Sequence, residues 1–411
     1  MRLPELVAPA GDFEKLKAAL EYGADAVYLG LERLSLRAQA DNFDPEGLVR
    51  AVDYSHSRGK RVYVTLNAFC FPGDLSDLGE ALGLVGASGA DAAIISDPAA
   101  LMMARKVAPD LPLHLSTQAN VTNPLAAAFW KDQGVKRIVL ARELSLGEIQ
   151  AFNEVGIELE VFVHGAMCMA ISGRCMFSEF LTGRSANQGD CAQPCRYEYT
   201  VIEAKRPHES YPVVEDEAGT YIFNARDLNL LTRLPELTEA GVTAIKLEGR
   251  AKSLHYVAQV TKTYREALDR LARGEVDFSD LSAELECPSH RPYTEGFYDG
   301  RGASSLQAPE STGYSQSRLL VGKVLKRLGE TSCLLEVRNK LETGREYQLL
   351  PAKGPEQTFR IQGLVGAEGE ALEVANVALA EVAILTDGAV GFEPGLLVTR
   401  STDEPACQPD A

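Results

Sequence analysis

The sequence predicts an α/β protein: a (β/α)8-type barrel with a long cysteine-bearing insertion, followed by a small C-terminal all-β barrel domain. Three observations predict it. Short β-like runs alternate with amphipathic helix-like runs over roughly the first 270 residues, the pattern of βα units. Good helix N-caps open most of the helices, and glycines close them. Beyond Leu319 the helical period disappears and only short β-runs remain.

The strands expected in the first part are Glu5–Ala8, Ala26–Leu29, Arg61–Leu66, Ala92–Ser96, Leu113–Ser116, Arg137–Ala141, Glu158–Val163 and Ala244–Leu247. The helices between them are expected to open after Asp12, Asp44, Asp74, Asp97, Thr122, Ser145, Asn229 and Ser253. Breaks such as Gly23-Ala24-Asp25, Gly89-Ala90-Asp91, Gly134-Val135, Gly156-Ile157 and Gly241-Val242 suit a left-handed C-cap before the next strand. A doubly wound open sheet is the main alternative. The turn after the first strand, Ala8-Pro9-Ala10-Gly11-Asp12, lacks the GxGxxG pattern of a dinucleotide fold.

The expected organisation is a barrel over residues 1–285, including a cysteine loop over 164–243, then an extended connector over 286–318 rich in Pro, Gly, Ser and Tyr. A β-barrel domain over 319–401 and a tail over 402–411 follow. In the β-domain the strands expected are Leu319–Leu325, Cys333–Val337, Glu346–Leu350, Ala371–Val374, Val382–Leu385 and Leu397–Thr399. A hairpin is expected from Tyr197–Glu203 with Thr220–Asn224.

Apolar residues make up 45% of the 411, enough for a sizeable core. The N-terminus lacks a signal-peptide run and no apolar run approaches a membrane span, so a cytoplasmic protein is expected. The net charge of −17 excludes binding nucleic acid by bulk electrostatics. An RNA partner has to meet a local basic patch. Arg174, Arg184, Arg196, Lys205 and Arg206 form a candidate, set against Glu179, Asp190, Glu198 and Glu203; a solvated loop with ordinary charge scatter reads equally well.

Four of the eight cysteines cluster as Cys168-x6-Cys175-x15-Cys191-x3-Cys195, all in the long loop. In a reducing compartment such clustering points to metal rather than disulfides. Four thiolates can take an iron–sulfur cluster or a zinc ion. The tight C-x2-C knuckles usual for structural zinc are absent, and the looser spacing suits a larger inorganic core. Glycines 165, 173, 183 and 189, with Pro194, help the chain wrap around one. Zinc and unliganded thiols remain the alternatives. Cys70, Cys287, Cys333 and Cys407 read as buried or tail cysteines.

Barrel chemistry sits at the C-terminal strand ends. Those ends carry Asn67, Asp97, Gln118, Asn120, Arg142, Glu143, His164, Glu248 and Arg250. Arg142 and Arg250 can act as carboxylate forks for a small anionic metabolite, with Asn67, Gln118 and Asn120 as hydrogen-bond partners and Arg174 and Arg184 as further cations. His164, with Arg142, Glu248 and Arg250, is the candidate catalytic set; His164 could serve as acid, base or donor to a cluster sulfur. The competing reading is structural: strand-end polar groups cap helices, and Arg–Glu pairs form salt bridges.

The run Phe162-Val163-His164-Gly165-Ala166-Met167-Cys168-Met169-Ala170-Ile171-Ser172-Gly173-Arg174-Cys175 resembles the signature of peptidase family U32. So do Gly183-Arg184-Ser185-Ala186-Asn187-Gln188-Gly189-Asp190-Cys191-Ala192-Gln193-Pro194-Cys195-Arg196, the opening Glu5-Leu6-Val7-Ala8-Pro9-Ala10-Gly11-Asp12, and Ile245-Lys246-Leu247-Glu248-Gly249-Arg250-Ala251-Lys252-Ser253. The C-terminal β-domain resembles that of the tRNA-hydroxylating branch. The resemblance implies a 4Fe-4S cluster on Cys168, Cys175, Cys191 and Cys195. It also implies oxygen-independent formation of 5-hydroxyuridine at the wobble position in the tRNA anticodon loop, with prephenate as a needed metabolite. Branches acting on 23S rRNA cytidine or on ubiquinone precursors are alternatives, as is a non-catalytic partner role. A peptidase is a further alternative, against which the sequence offers no HExxH motif and no recognisable Ser/His/Asp or Cys/His set.

Overall fold

The computed structural model describes residues 3–36, 41–168, 170–196, 215–216, 219–220, 226–300 and 314–402. Arg196 is described in backbone only, as are 215–216 and 219–220. The expected hairpin falls outside these residues except for Thr220, and Lys205, Arg206 and Cys407 fall outside them entirely.

Eight parallel strands close into a barrel. β1 (Glu5–Pro9), β2 (Ala26–Gly30), β3 (Arg61–Leu66), β4 (Ala92–Ile95), β5 (Leu113–Leu115), β6 (Arg137–Val139) and β7 (Glu158–Ala166) pair in chain order. The insertion after β7 contributes α-helical and short β-segments, among them β8 (Glu215–Asp216), β9 (Gly219–Thr220) and β10 (Asp227–Asn229). β11 (Ala244–Leu247) then pairs in parallel with both β7 and β1 and completes the ring. β10 runs antiparallel along the end of β7, and β12 (Tyr293–Thr294) adds to β10, so β7 continues past the barrel as the root of a three-stranded extension.

Helices α1 (Phe13–Glu21), α2 (Pro45–His56), α3 (Leu75–Ala87), α4 (Pro98–Val107), α5 (Pro124–Asp132) and α6 (Leu146–Gln150) connect the first strands. α7 (Phe177–Thr182) lies in the cysteine loop; α8 (Leu234–Glu239) and α9 (Leu254–Ala272) flank β11. Five of the expected caps form with side-chain bonds: Asp12, Asp44, Asp97, Ser145 and Ser253 accept from the amides of Lys15, Gly47, Ala99, Glu148 and Tyr256. Two expected starts shift, and a third forms without its cap bond. Asn123 rather than Thr122 caps α5, because Pro124 takes the first helical position. α3 opens after Asp74 as expected, but the Asp74 side chain accepts from the Phe71 amide in the preceding 3-10 turn rather than from an amide of the helix. Asn229 accepts from Leu231 and opens a 3-10 turn, and α8 begins only after Arg233.

The main core lies between strands and helices, and Val7, Ala26, Tyr28, Tyr63, Ala92, Ile94 and Ala244 fill the barrel interior. The interior is not wholly apolar. Glu5, Arg137, Glu160 and Lys246 are buried there in one ionic chain, with Tyr63 donating to Glu5.

The C-terminal domain comprises β13 (Arg318–Arg327), β14 (Ser332–Val337), β15 (Leu341–Glu342), β16 (Glu346–Leu350), β17 (Gln357–Val365), β18 (Ala371–Leu372), β19 (Val374–Ala375), β20 (Glu381–Thr386) and β21 (Leu397–Ser401). Six of these close an antiparallel barrel in the order β16-β21-β13-β14-β20-β17, with β17 returning to β16. The sequence reading missed β17. The domain core reaches into α1 and α9 through Ala18, Tyr22, Leu254 and Ala258. The Tyr22 hydroxyl donates to the Leu350 carbonyl at 2.9 Å and accepts from the Leu397 amide at 3.2 Å. Glu14 pairs with Lys323 and Arg338 across the same junction. Among the described residues no helix is long and apolar enough to cross a membrane.

Candidate active site

A cavity of about 520 Å³ opens at the C-terminal end of the barrel strands. Its floor is the uppermost layer of inward side chains: Tyr28, Thr65, Ile94, Val139, Phe162 and Lys246. Strand alternation sets this layer, since inward residues recur every second position. The walls carry Asn67, Gln118, Arg142, Glu143, Glu248 and Arg250 from the strand ends, and Cys168, Cys175, Cys191 and Cys195 from the long loop. The four clustered cysteines thus line one cavity together with the strand-end polar groups.

Arg142 is held on three sides. Its guanidinium donates to Glu248 Oε2 and to the Ala166 carbonyl, each at 3.1 Å, and stacks over Phe162 at 3.9 Å. Arg250 is 2% exposed and reaches Asn42. It fits because position 30 is glycine: a Cβ there would collide with the Arg250 guanidinium and the Ser35 hydroxyl. Glu143 accepts from the Ser172 amide at 3.0 Å, and Gln118 donates to the Gly173 carbonyl at 3.2 Å. These bonds tie the cysteine loop to the strand ends. Glu143 Oε2 and Gln118 Oε1 are both buried at the cavity wall with no hydrogen-bond partner among the described residues.

The loop itself is tightly wound. Asn187 brackets Cys175, accepting from its amide at 3.1 Å and donating to its carbonyl at 3.0 Å. The amides of Phe177 and Gln193 point at the sulfurs of Cys175 and Cys191, each at 3.4 Å. Three non-glycine residues adopt left-handed backbone here, Asn120, Ser172 and Gln193, beside Gly173 and Gly189. Such strain persists only where surrounding structure imposes it, and it gathers at functional sites. Among the described residues the four cysteines form no disulfide.

Other expected site residues stand outside the cavity lining. Asn120 accepts from the Ser172 hydroxyl at 2.8 Å and so shapes the loop. Arg174 donates to the Gln118 carbonyl and lies over Phe69, while Arg184 pairs with Asp190. Asp97 caps α4. The structure does not bring His164 to the cavity. The register of β7 against β11 slips by one residue between Phe162 and His164, the mark of a β-bulge. A one-residue slip turns a side chain to the other face of the sheet. His164 therefore packs outside the barrel among Tyr256, Tyr264 and Tyr293. It is 1% exposed; burial, with the charges of Lys252 and His290, pushes its pKa down to about 3, so it is neutral.

Sequence reasoning missed Lys246, Tyr28, Phe162, Ser172 and Lys252 in the lining. Strand alternation could have found the first of these, because Lys246 lies two residues before Glu248.

The model of peptidase family U32 matches residues 11–308, and the model of the U32 C-terminal domain matches 316–398. The chain belongs to peptidase family U32. Within it, the chain is 37% identical to the tRNA hydroxylation protein P of Escherichia coli, over 90% of this chain and 91% of that protein. It is 35% identical to the tRNA hydroxylation protein P1 of Bacillus subtilis, over 91% and 89%. Another U32 relative, 32% identical over 79% of this chain and 81% of its own length, is the protein named collagenase of Porphyromonas gingivalis.

Proposed function

We propose that this U32 protein hydroxylates the wobble uridine of tRNA to 5-hydroxyuridine without molecular oxygen, using a 4Fe-4S cluster on Cys168, Cys175, Cys191 and Cys195. The observation that carries the reading is the meeting of four thiols with Arg142, Glu248 and Arg250 in one cavity. The relatives named for tRNA hydroxylation, matched over nine-tenths of the chain, support the substrate.

What supports the cluster is the donor chemistry: four thiols from one loop line a single cavity. A cluster spreads its thiolates over different irons. The amides aimed at the Cys175 and Cys191 sulfurs suit thiolates that carry negative charge.

When bound, the cluster supplies electron transfer beside the cavity. The protein's own residues do the rest. Arg142 and Arg250, both in the lining, present planar donor forks to a small anion such as prephenate. Glu248 fixes the orientation of Arg142. Gln118 and Glu143 offer unfilled acceptors to a base or hydroxyl entering from above. The target base belongs to a single-stranded loop, which lets it splay into such a pocket.

A peptidase reading draws on the collagenase-named relative. Against it, no histidine lines the cavity among the described residues, so neither a serine nor a cysteine there has an imidazole base.

Nucleoside mass spectrometry of tRNA tests the proposal. In a strain lacking this protein and any redundant hydroxylation route, the wild-type chain restores 5-hydroxyuridine derivatives and Cys191→Ala does not. Equal levels with and without the protein contradict the proposal.

A further inference from the structure

The buried ionic chain of the barrel interior ends at the cavity floor. Lys246 Nζ donates to Glu160 at 2.7 Å, and Glu160 also receives Arg137 Nη1 at 3.1 Å. Arg137 in turn binds Glu5 at 2.7 Å and Glu158 at 2.8 Å toward the opposite end of the barrel. Barrel interiors are usually filled by branched apolar side chains, so a lysine at this level is unusual.

Lys246 differs from its neighbours on the floor. The hydroxyls of Thr65 and Ser116 are engaged with Leu29, Ser35 and Asn67. Tyr28, Ile94, Val139 and Phe162 offer apolar surface, and the Tyr28 hydroxyl is turned to the Leu247 carbonyl. The Lys246 ammonium has three N–H donors, of which Glu160 takes one. It rests against the Tyr28 ring, 4.1 Å from its centroid. The groups facing it are Glu160, Arg137, Glu248, the buried His114 and the two rings. Burial favours loss of its proton and Glu160 opposes that loss; Glu160 itself is held down to about 2 by Lys246 and Arg137 despite its burial. Over the whole lining, Arg142, Lys246, Arg250 and Lys252 stand against Glu143 and Glu248.

We propose that Lys246 is a ligand-binding residue: at the closed end of the cavity its ammonium receives the carboxylate of a small cyclic acid, whose ring lies between Tyr28 and Phe162. Glu160 and Arg137 act as positioning residues that hold the ammonium in place. The inference rests on reading the cavity as a substrate site and is independent of iron and of tRNA.

Titration calorimetry with prephenate as the probe tests it, using wild type, Lys246→Met, Lys246→Arg and the double variant Lys246→Met with Glu160→Gln. The double variant removes both members of the pair, and Arg137 keeps Glu5 and Glu158, so no buried charge is left unpaired and the fold is preserved if the single variant fails. Affinity falls roughly 10- to 100-fold in the double variant, as expected for a lost charged hydrogen bond, and Lys246→Arg recovers part of it. Glu160→Gln alone makes affinity fall with rising pH, because an ammonium without its carboxylate gives up its proton earlier. Wild-type affinity in a folded double variant overturns the proposal and leaves Lys246 a structural ion pair. Failure of the wild type to bind prephenate also overturns it. If 5-hydroxyuridine is still formed in that case, the tRNA reading stands.

Discussion

Single side chains decide the chemistry of this cavity, and glycines decide where those side chains go. Gly30 is the clearest case, because its missing Cβ is what admits Arg250. Gly30→Ala is expected to cost about 1–3 kcal/mol by overpacking and to weaken anion binding as strongly as Arg250→Ala does. Urea denaturation and calorimetry check the two effects. Buried histidines set a second residue-scale expectation. His114 and His164 are pushed down to about 3, chiefly by burial, from an ordinary value of 6.5. Their depressed folded values mean that the unfolded chain takes up protons first as pH falls. The stability they contribute is whole above pH 6.5 and is lost as pH drops toward 3. His164→Phe is expected to flatten the slope of stability between those limits, measured by urea denaturation at a series of pH values. An unchanged slope contradicts the assignment of a neutral buried imidazole.

At the scale of elements, β7 governs the site. Its early part delivers Glu160 and Phe162 inward, its bulge sends His164 outward, and its end launches the cysteine loop. Gly165 follows the bulge with a φ of +105°, and a Cβ there would meet the Glu248 carbonyl. Gly165→Ala is therefore expected to destabilise the protein by about 1–3 kcal/mol and to disturb the Arg142–Glu248 pair, visible as weakened anion binding. The alternation of strands and capped helices made the eight barrel strands legible in the sequence, along with the polar groups at their ends. The bulge was not legible, because a slip in register leaves no mark in residue type, and so His164 was placed by simple strand-end reasoning on the wrong side of the sheet. Lys246 was passed over although its spacing from Glu248 puts both on one face. β17 was missed for another reason. Its run Gln357-Thr358-Phe359-Arg360-Ile361-Gln362-Gly363-Leu364-Val365 alternates correctly, but its outward face is polar and a glycine interrupts it. The loop cysteines were legible from spacing alone, whereas their meeting with the strand ends depends on bonds such as Gln118 to Gly173 that only the folded chain shows.

The whole molecule couples a barrel to a β-domain through a buried hydroxyl. Tyr22 joins α1 to the ends of β16 and β21, and Glu14 adds an ionic contact beside it. Tyr22→Phe keeps the ring and loses both bonds, leaving a buried carbonyl and amide short of a partner. A loss of about 1–3 kcal/mol is expected in urea denaturation, with little change in anion binding at the distant cavity. The barrel mouth and the cysteine loop together line one cavity, and the proposed chemistry there requires a cluster on the four thiols. Iron and acid-labile sulfide content after anaerobic purification tests this most directly. The account predicts about four of each per chain in the wild type and a collapse of both in Cys175→Ala. Zinc in place of iron, or iron and sulfide unchanged in that variant, would contradict it.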